Sequence, residues 1–121
     1  MRTATLGELV KWVMDNRKGN AFKDYEERVI ASGIKLASDL GTLLYMCRDD
    51  GSLCGIIVCR EDQKNKLMYV VDLLTTERWV LPMFVKYFVT NYPEYTLTAL
   101  RDSKPVTYDT KRLCHKLLKG A

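Results

Sequence analysis

Two apolar runs that flank an Asp-Gly turn restrict the fold of this chain more than any other feature. The first run covers Leu43 to Cys47, the turn holds Asp49 to Ser52, and the second run covers Leu53 to Cys59. This pattern predicts a β-hairpin, because glycine adopts the positive φ that tight hairpin turns require. Both alternating sets of residues in the second run are apolar, so other elements should cover both faces of that strand.

The residues after the hairpin predict a buried strand, a helix and a last strand. Leu67 to Leu74 is apolar apart from Asp72 and contains Tyr and Val residues, which is typical of a buried strand. Thr75 to Glu77 carry hydroxyls and a carboxylate that suit the open amides of a helix start. Pro82 fits the first helical turn, and Thr96 to Leu100 gives the last strand. The helical residues that recur at three- and four-residue spacing are Met83, Phe84, Tyr87, Phe88 and Tyr92.

Two helical segments are predicted before the hairpin. Thr5 and Glu8 form a capping signal for a helix that ends at Asn16. A second, less regular helical stretch runs from Ala21 to Leu40. Gly33 lies within it, where a glycine either splits a helix or allows close packing.

The end of the chain is predicted to be a turn followed by a basic helix. Ser103 to Pro105 form the turn, and Thr107 or Asp109 caps the helix. Residues 101 to 121 hold six basic and two acidic side chains, which accounts for the whole net charge of +4. Such an element attracts nucleic acid or an acidic partner, although a solvated helix face is the more common meaning. The candidate binding residues on it are Lys111, Arg112, Lys116 and Lys119.

The order of predicted elements is helix, helix, strand, strand, strand, helix, strand, helix. It predicts one α/β (α+β) domain over residues 1–121, with a mixed, mainly antiparallel sheet flanked by helices on both faces. Residues 1–40 form the helical part of this domain, and residues 41–118 form the sheet core with two helices. A chain of 121 residues is long enough for a single hydrophobic core.

Composition and cysteine spacing argue against several classes of site. No apolar run is long enough to cross a membrane, and no secretory signal is evident, so a reducing, cytoplasmic location is expected. The four cysteines are therefore expected to be free and structural, and their spacing fits no zinc site. Cys114 and His115 are adjacent and would diverge by about 100° on a helix, which is the wrong geometry for a nucleophile and its base. The sequence predicts no metal site.

The segment from Asp50 to Ile57, together with the order of elements, resembles the core of the GCN5-related N-acetyltransferase (GNAT) superfamily. The family shows a hairpin with a glycine early in its second strand, then a strand, a loop, a helix, a strand and a helix. The resemblance covers roughly residues 41 to 118 and is topological. The compact basic chain is also similar to small members of this fold in tailed bacteriophages, some of which are virion components. This similarity implies a location in the host cytoplasm or the virion.

The resemblance also implies where a coenzyme and catalytic groups would lie. In the family, acyl-coenzyme A lies where the third and fourth strands here would splay apart, with its pyrophosphate on amides of the loop before the helix. Asp72 occupies the region of a general base, and Tyr108 the region of a tyrosine that protonates the leaving thiolate. From the residues alone, an ordinary solvent-facing group is the more common meaning of either side chain. The implied coenzyme contacts are Leu73, Leu74, Thr75 and Arg78.

The loop before the helix departs from the family pattern of Arg or Gln, two residues, Gly, one residue, and Gly or Ala. Arg78 matches the first position, but Leu81 and Met83 replace the small residues. Trp79 fills an adjacent position that is often glycine, and Pro82 removes one amide donor. These residues would crowd the phosphates, so no cofactor is expected.

Three functions follow from these observations. The favoured one is a binding or structural module without enzymatic activity, in which Trp79 anchors a protein partner. The alternative is an acetyl-coenzyme A-dependent N-acyltransferase with an atypical loop. The third is a small nucleic-acid-binding protein that uses the basic residues near the end of the chain.

Overall fold

The computed structural model describes residues 3–19, 21–101 and 104–108. Within these ranges it contains three α-helices, one short 3-10 helix and five strands. The helices are α1 (Leu6–Asn16), the 3-10 helix (Ala21–Asp24), α2 (Glu27–Asp39) and α3 (Val80–Asn91). The strands are β1 (Leu43–Cys47), β2 (Leu53–Asp62), β3 (Leu67–Thr75), β4 (Thr96–Arg101) and β5 (Lys104–Tyr108).

The strands form one mixed sheet in the order β1-β2-β3-β4-β5 within the described ranges. β3 and β4 are parallel, and the other three neighbouring pairs are antiparallel. The β1–β2 hairpin turns at Gly51, whose φ is 88°, as the Asp-Gly signal predicts. The predicted mixed, mainly antiparallel sheet is confirmed.

Helices cover both faces of this sheet, as predicted. On one face, α1 and α2 pack on side chains that include Leu53, Ile56 and Leu74. On the other face, α3 packs on side chains that include Ile57, Met68 and Leu97. Every residue of β2 from Leu53 to Cys59 is buried, which confirms that both faces of this strand are covered.

A glycine lets α3 approach the sheet closely. A Cβ atom placed on Gly55 of β2 would overlap Cγ1 of Val80 and would lie 3.4 Å from the ring of Phe84. Val80 is fully buried at the start of α3, so it has little room to move. Gly55 therefore sets the position at which α3 begins.

The first helix begins as its sequence predicts. The Thr5 hydroxyl accepts a hydrogen bond from the Glu8 amide at 3.1 Å, and the Thr5 amide donates to the Glu8 carboxylate at 3.4 Å. This reciprocal pair is a capping box, and α1 ends at the predicted residue, Asn16.

The second helical stretch is interrupted at a different place from Gly33. The 3-10 helix ends at Asp24 and α2 begins at Glu27, so the break lies at Tyr25 and Glu26. Gly33 lies within α2, and a Cβ there would meet nothing within 4 Å. Both interpretations of this glycine are therefore wrong: it neither splits the helix nor permits a close contact.

The prediction for residues 104 to 107 is also wrong. Lys104 and Pro105 belong to a strand rather than a turn, and Thr107 lies in that strand rather than at a helix cap. Val106, Thr107 and Tyr108 are residue types that favour extended backbone, and β5 is the edge of the described sheet, where a proline is tolerated. The predicted cap at Asp109 and the helix after it lie outside the described residues.

No helix in the described ranges combines the length and the apolar character that a bilayer span requires.

Candidate functional site

The strand that carries the predicted catalytic aspartate has a β-bulge. β2 pairs Val58 with Asp72, but the next residue, Cys59, pairs with Val70. Val71 is therefore the extra residue on β3, and its side chain is exposed. A bulge of this kind bends a strand and changes the direction of the side chains that follow it.

The bulge coincides with the end of the pairing between β3 and β4. The registered pairs in the described residues run from Leu67 with Thr96 to Val70 with Ala99. The part of β3 from Val71 to Thr75 lies beyond them. This is the region in which the family resemblance implies a coenzyme.

Asp72 lines a pocket on the face of the sheet that α2 covers. The volume of the pocket is about 330 Å³, and it lies between α2, the 3-10 helix and strands β2 and β3. Its lining residues are Phe22, Tyr25, Val29, Ile30, Gly33, Ile34, Val58 and Asp72. Because seven of these eight are uncharged and mostly apolar, the carboxylate lies in an apolar environment.

Burial raises the pKa of the Asp72 carboxyl to about 6. Desolvation is the cause, and in the described part of the chain no hydrogen bond or neighbouring charge contributes to the shift. Asp72 is thus half-buried rather than facing solvent at a sheet end. A carboxyl of this kind is ionised at pH 7.5 and can accept a proton or bind a cation.

The structure does not bring Tyr108 close to Asp72. Tyr108 pairs with Leu97 of β4, and Leu97 pairs with Met68 of β3. Tyr108 is therefore two strands away from β3 and is level with a residue four positions before Asp72. Strand spacings of about 4.8 Å and residue rises of about 3.3 Å separate the two backbones by more than roughly 10 Å.

The residues that the resemblance implies as coenzyme contacts lie on both faces of the sheet and in the loop after β3. Leu74 is buried under α1 and α2, whereas Leu73 packs against the core beneath α3. Thr75 is half-buried at the end of β3, and Arg78 is exposed in the following loop. Their proposed role in binding a coenzyme stays a prediction.

An arginine that the sequence did not single out ties the hairpin to this loop. Nε of Arg48 donates to a carboxylate oxygen of Glu77, and its Nη2 donates to the Thr76 hydroxyl at 3.2 Å. Its Nη1 donates to the Ser52 hydroxyl at 3.0 Å and to the Leu53 carbonyl at 2.9 Å. The guanidinium thereby connects the hairpin turn to the segment between β3 and α3.

Glu77 is held from two sides just before α3. Besides Arg48, the indole Nε1 of Trp79 donates to its second carboxylate oxygen. The hydrogen bond from Arg48, followed by that from Trp79, lowers the pKa of the Glu77 carboxyl. The predicted use of Glu77 as a helix cap is wrong, because α3 has no side-chain cap and only the Glu77 carbonyl accepts from the Val80 amide, at 3.3 Å. No local pattern in the sequence predicts this pairing, because Arg48 and Glu77 are 29 residues apart.

The outer face of α3 carries an exposed stripe of large side chains. Trp79, Met83 and Tyr87 are 41%, 39% and 40% exposed and follow one another at four-residue spacing. We call these three residues the α3 stripe. Phe84 and Phe88 are buried on the opposite side, so the aromatic pattern of α3 is divided between core and surface.

A basic residue lies within the same face. Lys86 is exposed and is seven residues from Trp79, which places it about 20° away around the helix. α3 contains no acidic residue between Val80 and Asn91. The α3 stripe is thus apolar with Lys86 beside it, and the Glu77 carboxylate that Trp79 contacts is paired with Arg48.

The other predicted groups offer little reactive chemistry. Cys47, Cys54 and Cys59 are free thiols in the strands where they were predicted. Burial raises the pKa of Cys54, and it raises that of Cys59 to about 12, so these two thiols are poor nucleophiles. In the described ranges no group of three or more His, Cys, Asp or Glu side chains is placed to hold a metal ion. The candidates outside those ranges are Lys111, Arg112, Cys114, Lys116 and Lys119.

Comparison of the chain with protein families gave no match, and comparisons with curated proteins and with solved structures gave none either. The relationship to the GNAT superfamily therefore stays a prediction.

Proposed function

We propose that this protein is a binding module on a GNAT-like fold, which binds a protein partner through the α3 stripe and does not use acyl-coenzyme A. The observation that carries the proposal is the exposure of Trp79, Met83 and Tyr87 on successive turns of one helix face. A contiguous apolar patch with a polar rim is typical of a protein-binding surface. Tryptophan and tyrosine are also frequent hot spots in such interfaces.

The charges around the stripe indicate the kind of partner. Lys86 lies within the exposed face, Arg78 is exposed just before the helix, and α3 itself has no carboxylate. A partner with apolar side chains at helical spacing and acidic residues beside them matches this surface in shape and charge. We therefore propose an acidic amphipathic helix as the partner. A virion component is one setting in which a module of this kind would meet a fixed neighbour.

The loop before α3 supports a function without the coenzyme. The start of a helix favours a negative charge, and this loop already contains the Glu77 carboxylate, held by Arg48 and Trp79. A diphosphate placed there would be repelled by Glu77, and the Arg48 guanidinium is already engaged. This arrangement adds an electrostatic obstacle to the steric one that Leu81 and Met83 predict.

The experiment is an NMR titration of the ¹⁵N-labelled protein with two synthetic helical peptides. One peptide carries leucines at i, i+4 and i+8 flanked by glutamates, and the other carries lysines in place of the glutamates. The acidic peptide should shift the amides of α3 and bind more tightly than the basic one. Trp79→Ala should weaken its binding by about 30-fold, the effect of losing a hot spot worth about 2 kcal/mol.

Leu36→Ala is the matched control, because Leu36 is also an exposed large apolar residue, but it lies on α2, far from the stripe in sequence and on the other face of the sheet. This variant should bind the acidic peptide as the wild type does. Equal binding of both peptides, or unchanged binding by Trp79→Ala, would contradict the proposal.

A second candidate function is N-acyl transfer from acetyl-coenzyme A. The observation that favours it is the position of Asp72, whose pKa is about 6, beside the bulge at Val71 where the pairing of β3 with β4 ends. The test is release of free coenzyme A thiol from acetyl-coenzyme A in the presence of mixed primary amines. This function requires thiol release that falls strongly in Asp72→Asn, and no release from the wild type would exclude it for those amines.

A further inference from the structure

The pocket beside Asp72 is separate from the α3 stripe and has a different chemistry. It opens on the face covered by α2, whereas the stripe lies on the helix of the opposite face. Two of its walls are aromatic: the rings of Phe22 and Tyr25 have centroids 6.1 Å apart and are nearly perpendicular, at 87°. Asp72 supplies the one ionised group of the lining at neutral pH.

A half-buried carboxylate without a counter-ion is costly, because burial removes solvation that nothing replaces. In the described ranges no Lys, Arg or hydrogen-bond donor is paired with Asp72. A ligand that brings a positive charge would offset this cost. A neutral apolar ligand would bury the carboxylate further and leave it uncompensated.

We propose that this pocket binds a small organic cation, an ammonium group that carries methyl or other apolar substituents. The carboxylate would attract the charge, and the faces of Phe22 and Tyr25 would contribute cation–π attraction. The substituents would contact the aliphatic walls formed by Val29 and Val58. This inference does not depend on the α3 stripe or on acyl transfer.

The size and polarity of the pocket agree with this class of ligand. At about 30 Å³ for each water in the liquid, 330 Å³ corresponds to roughly ten non-hydrogen atoms, which exceeds the size of a trimethylammonium group with a short chain. A hard metal ion is a poor match, because it requires six or more oxygen ligands and the lining supplies one carboxylate. An anion would be repelled by Asp72.

The test compares choline with its neutral carbon isostere, 3,3-dimethylbutan-1-ol, by NMR titration of the full chain. Choline should shift the amides of Val58 and Asp72 and bind at least about tenfold more tightly than the isostere, a difference of about 1.4 kcal/mol. Equal binding of the two compounds, or no binding of choline, would overturn the proposal.

Two variants connect the binding to the pocket. Asp72→Asn should reduce choline binding at least about tenfold while leaving the isostere unaffected. Gly33→Leu should block both ligands, because a side chain there enters open space at the pocket wall without a clash. Asp49→Asn changes an exposed turn carboxylate and is the matched control, which should bind choline normally. Normal choline binding by Asp72→Asn or by Gly33→Leu would also overturn the proposal.

The same cation occurs in free metabolites and in methylated lysine side chains. A short peptide that contains trimethyl-lysine distinguishes these sources when titrated beside choline. Tighter binding of the peptide supports a protein side chain as the natural ligand, and tighter binding of choline supports a free molecule. If neither binds, the pocket is not a cation site.

Discussion

The two faces of the sheet are covered by helices that pack in different ways. On one face, α3 lies so close to β2 that only a glycine fits at position 55, and Phe84 fills the space beside it. On the other face, α2 leaves a pocket of about 330 Å³ above Val58 and Asp72. The closely packed face holds a fully buried aromatic ring, whereas the other face leaves room for a ligand and contains a charged residue.

This difference has consequences for where function is possible on each face. Within the described ranges the inner side of α3 packs through buried residues such as Phe84 and Phe88, and its exposed large apolar side chains form the α3 stripe. The inner side of α2 contains the pocket, so a small molecule can lie between helix and sheet. β3 contributes to both, because Leu73 faces the core beneath α3 and Asp72 faces the pocket.

The largest effect on stability should come from the closed face. Phe84→Ala should lower the free energy of unfolding by about 4 kcal/mol, because it removes a fully buried ring and leaves a cavity. Tyr87→Ala, on the exposed side of the same helix, should cost less than about 1 kcal/mol. Urea denaturation measures both. Similar losses for the two variants would show that α3 is not packed as described.

The next largest effect should appear when alanine replaces Gly55 and Gly33 in turn and the free energies of unfolding are compared. Gly55→Ala should lower the free energy of unfolding by about 2 kcal/mol, because its Cβ overlaps Val80. Gly33→Ala should raise it by about 0.5 to 1 kcal/mol, because alanine favours the helix and meets no atom within 4 Å. Thermal unfolding of both variants provides the comparison. An unchanged free energy of unfolding in Gly55→Ala would mean that α3 does not depend on close contact with β2.

Asp72→Asn should stabilise the protein at pH 7.5 by about 1 kcal/mol, after allowing for the partial exposure of the carboxyl. The folded-state pKa, about 6, is higher than the usual value for aspartate, so the folded state holds the proton more tightly. The stability of the wild type should therefore fall as the pH rises from the ordinary aspartate pKa to about 6. Above that pH the carboxyl is ionised in both the folded and the unfolded state, so its contribution to the pH dependence ends.

The variant should lack this part of the pH dependence and should match the wild type below a pH of about 3, where the carboxyl is protonated in both the folded and the unfolded state. Asp72 is the one carboxylate among the residues that line the pocket. Urea denaturation at a series of pH values measures the difference. A variant that is less stable than the wild type at pH 7.5 would show that the carboxylate has a favourable partner.

Val29→Ala should have the smallest effect, a change of less than about 0.5 kcal/mol in the free energy of unfolding. The side chain is 50% exposed at the rim of the pocket, and alanine has the higher helix propensity, so the two contributions nearly cancel. Thermal unfolding is again the measurement. A loss comparable with that of Phe84→Ala would indicate that the α2 face is closed after all.

The sequence was informative at several positions where the signal is local. The Asp-Gly turn predicted the hairpin, Thr5 and Glu8 predicted the capping box, and the lone charge of Asp72 marked the residue that lines the pocket. These features depend on residues within a few positions of one another, where backbone preferences and capping hydrogen bonds act.

Features that depend on distant residues were not predictable in the same way. Val71 lies in an apolar run with nothing to mark it as a bulge, and the pairing of Arg48 with Glu77 joins residues 29 positions apart. The pocket requires α2 to lie over β2 and the 3-10 helix to lie over β3, which no sequence pattern specifies. Pro105 carried a turn signal, but the extended preference of the residues after it and pairing with β4 prevailed.

Isothermal titration of the wild-type protein with acetyl-coenzyme A tests the central functional claim most directly. Because the loop before α3 already holds the Glu77 carboxylate between Arg48 and Trp79, the expected result is no binding at millimolar coenzyme. A saturable heat with a micromolar dissociation constant would contradict the account, since the diphosphate would then have a place at the start of α3.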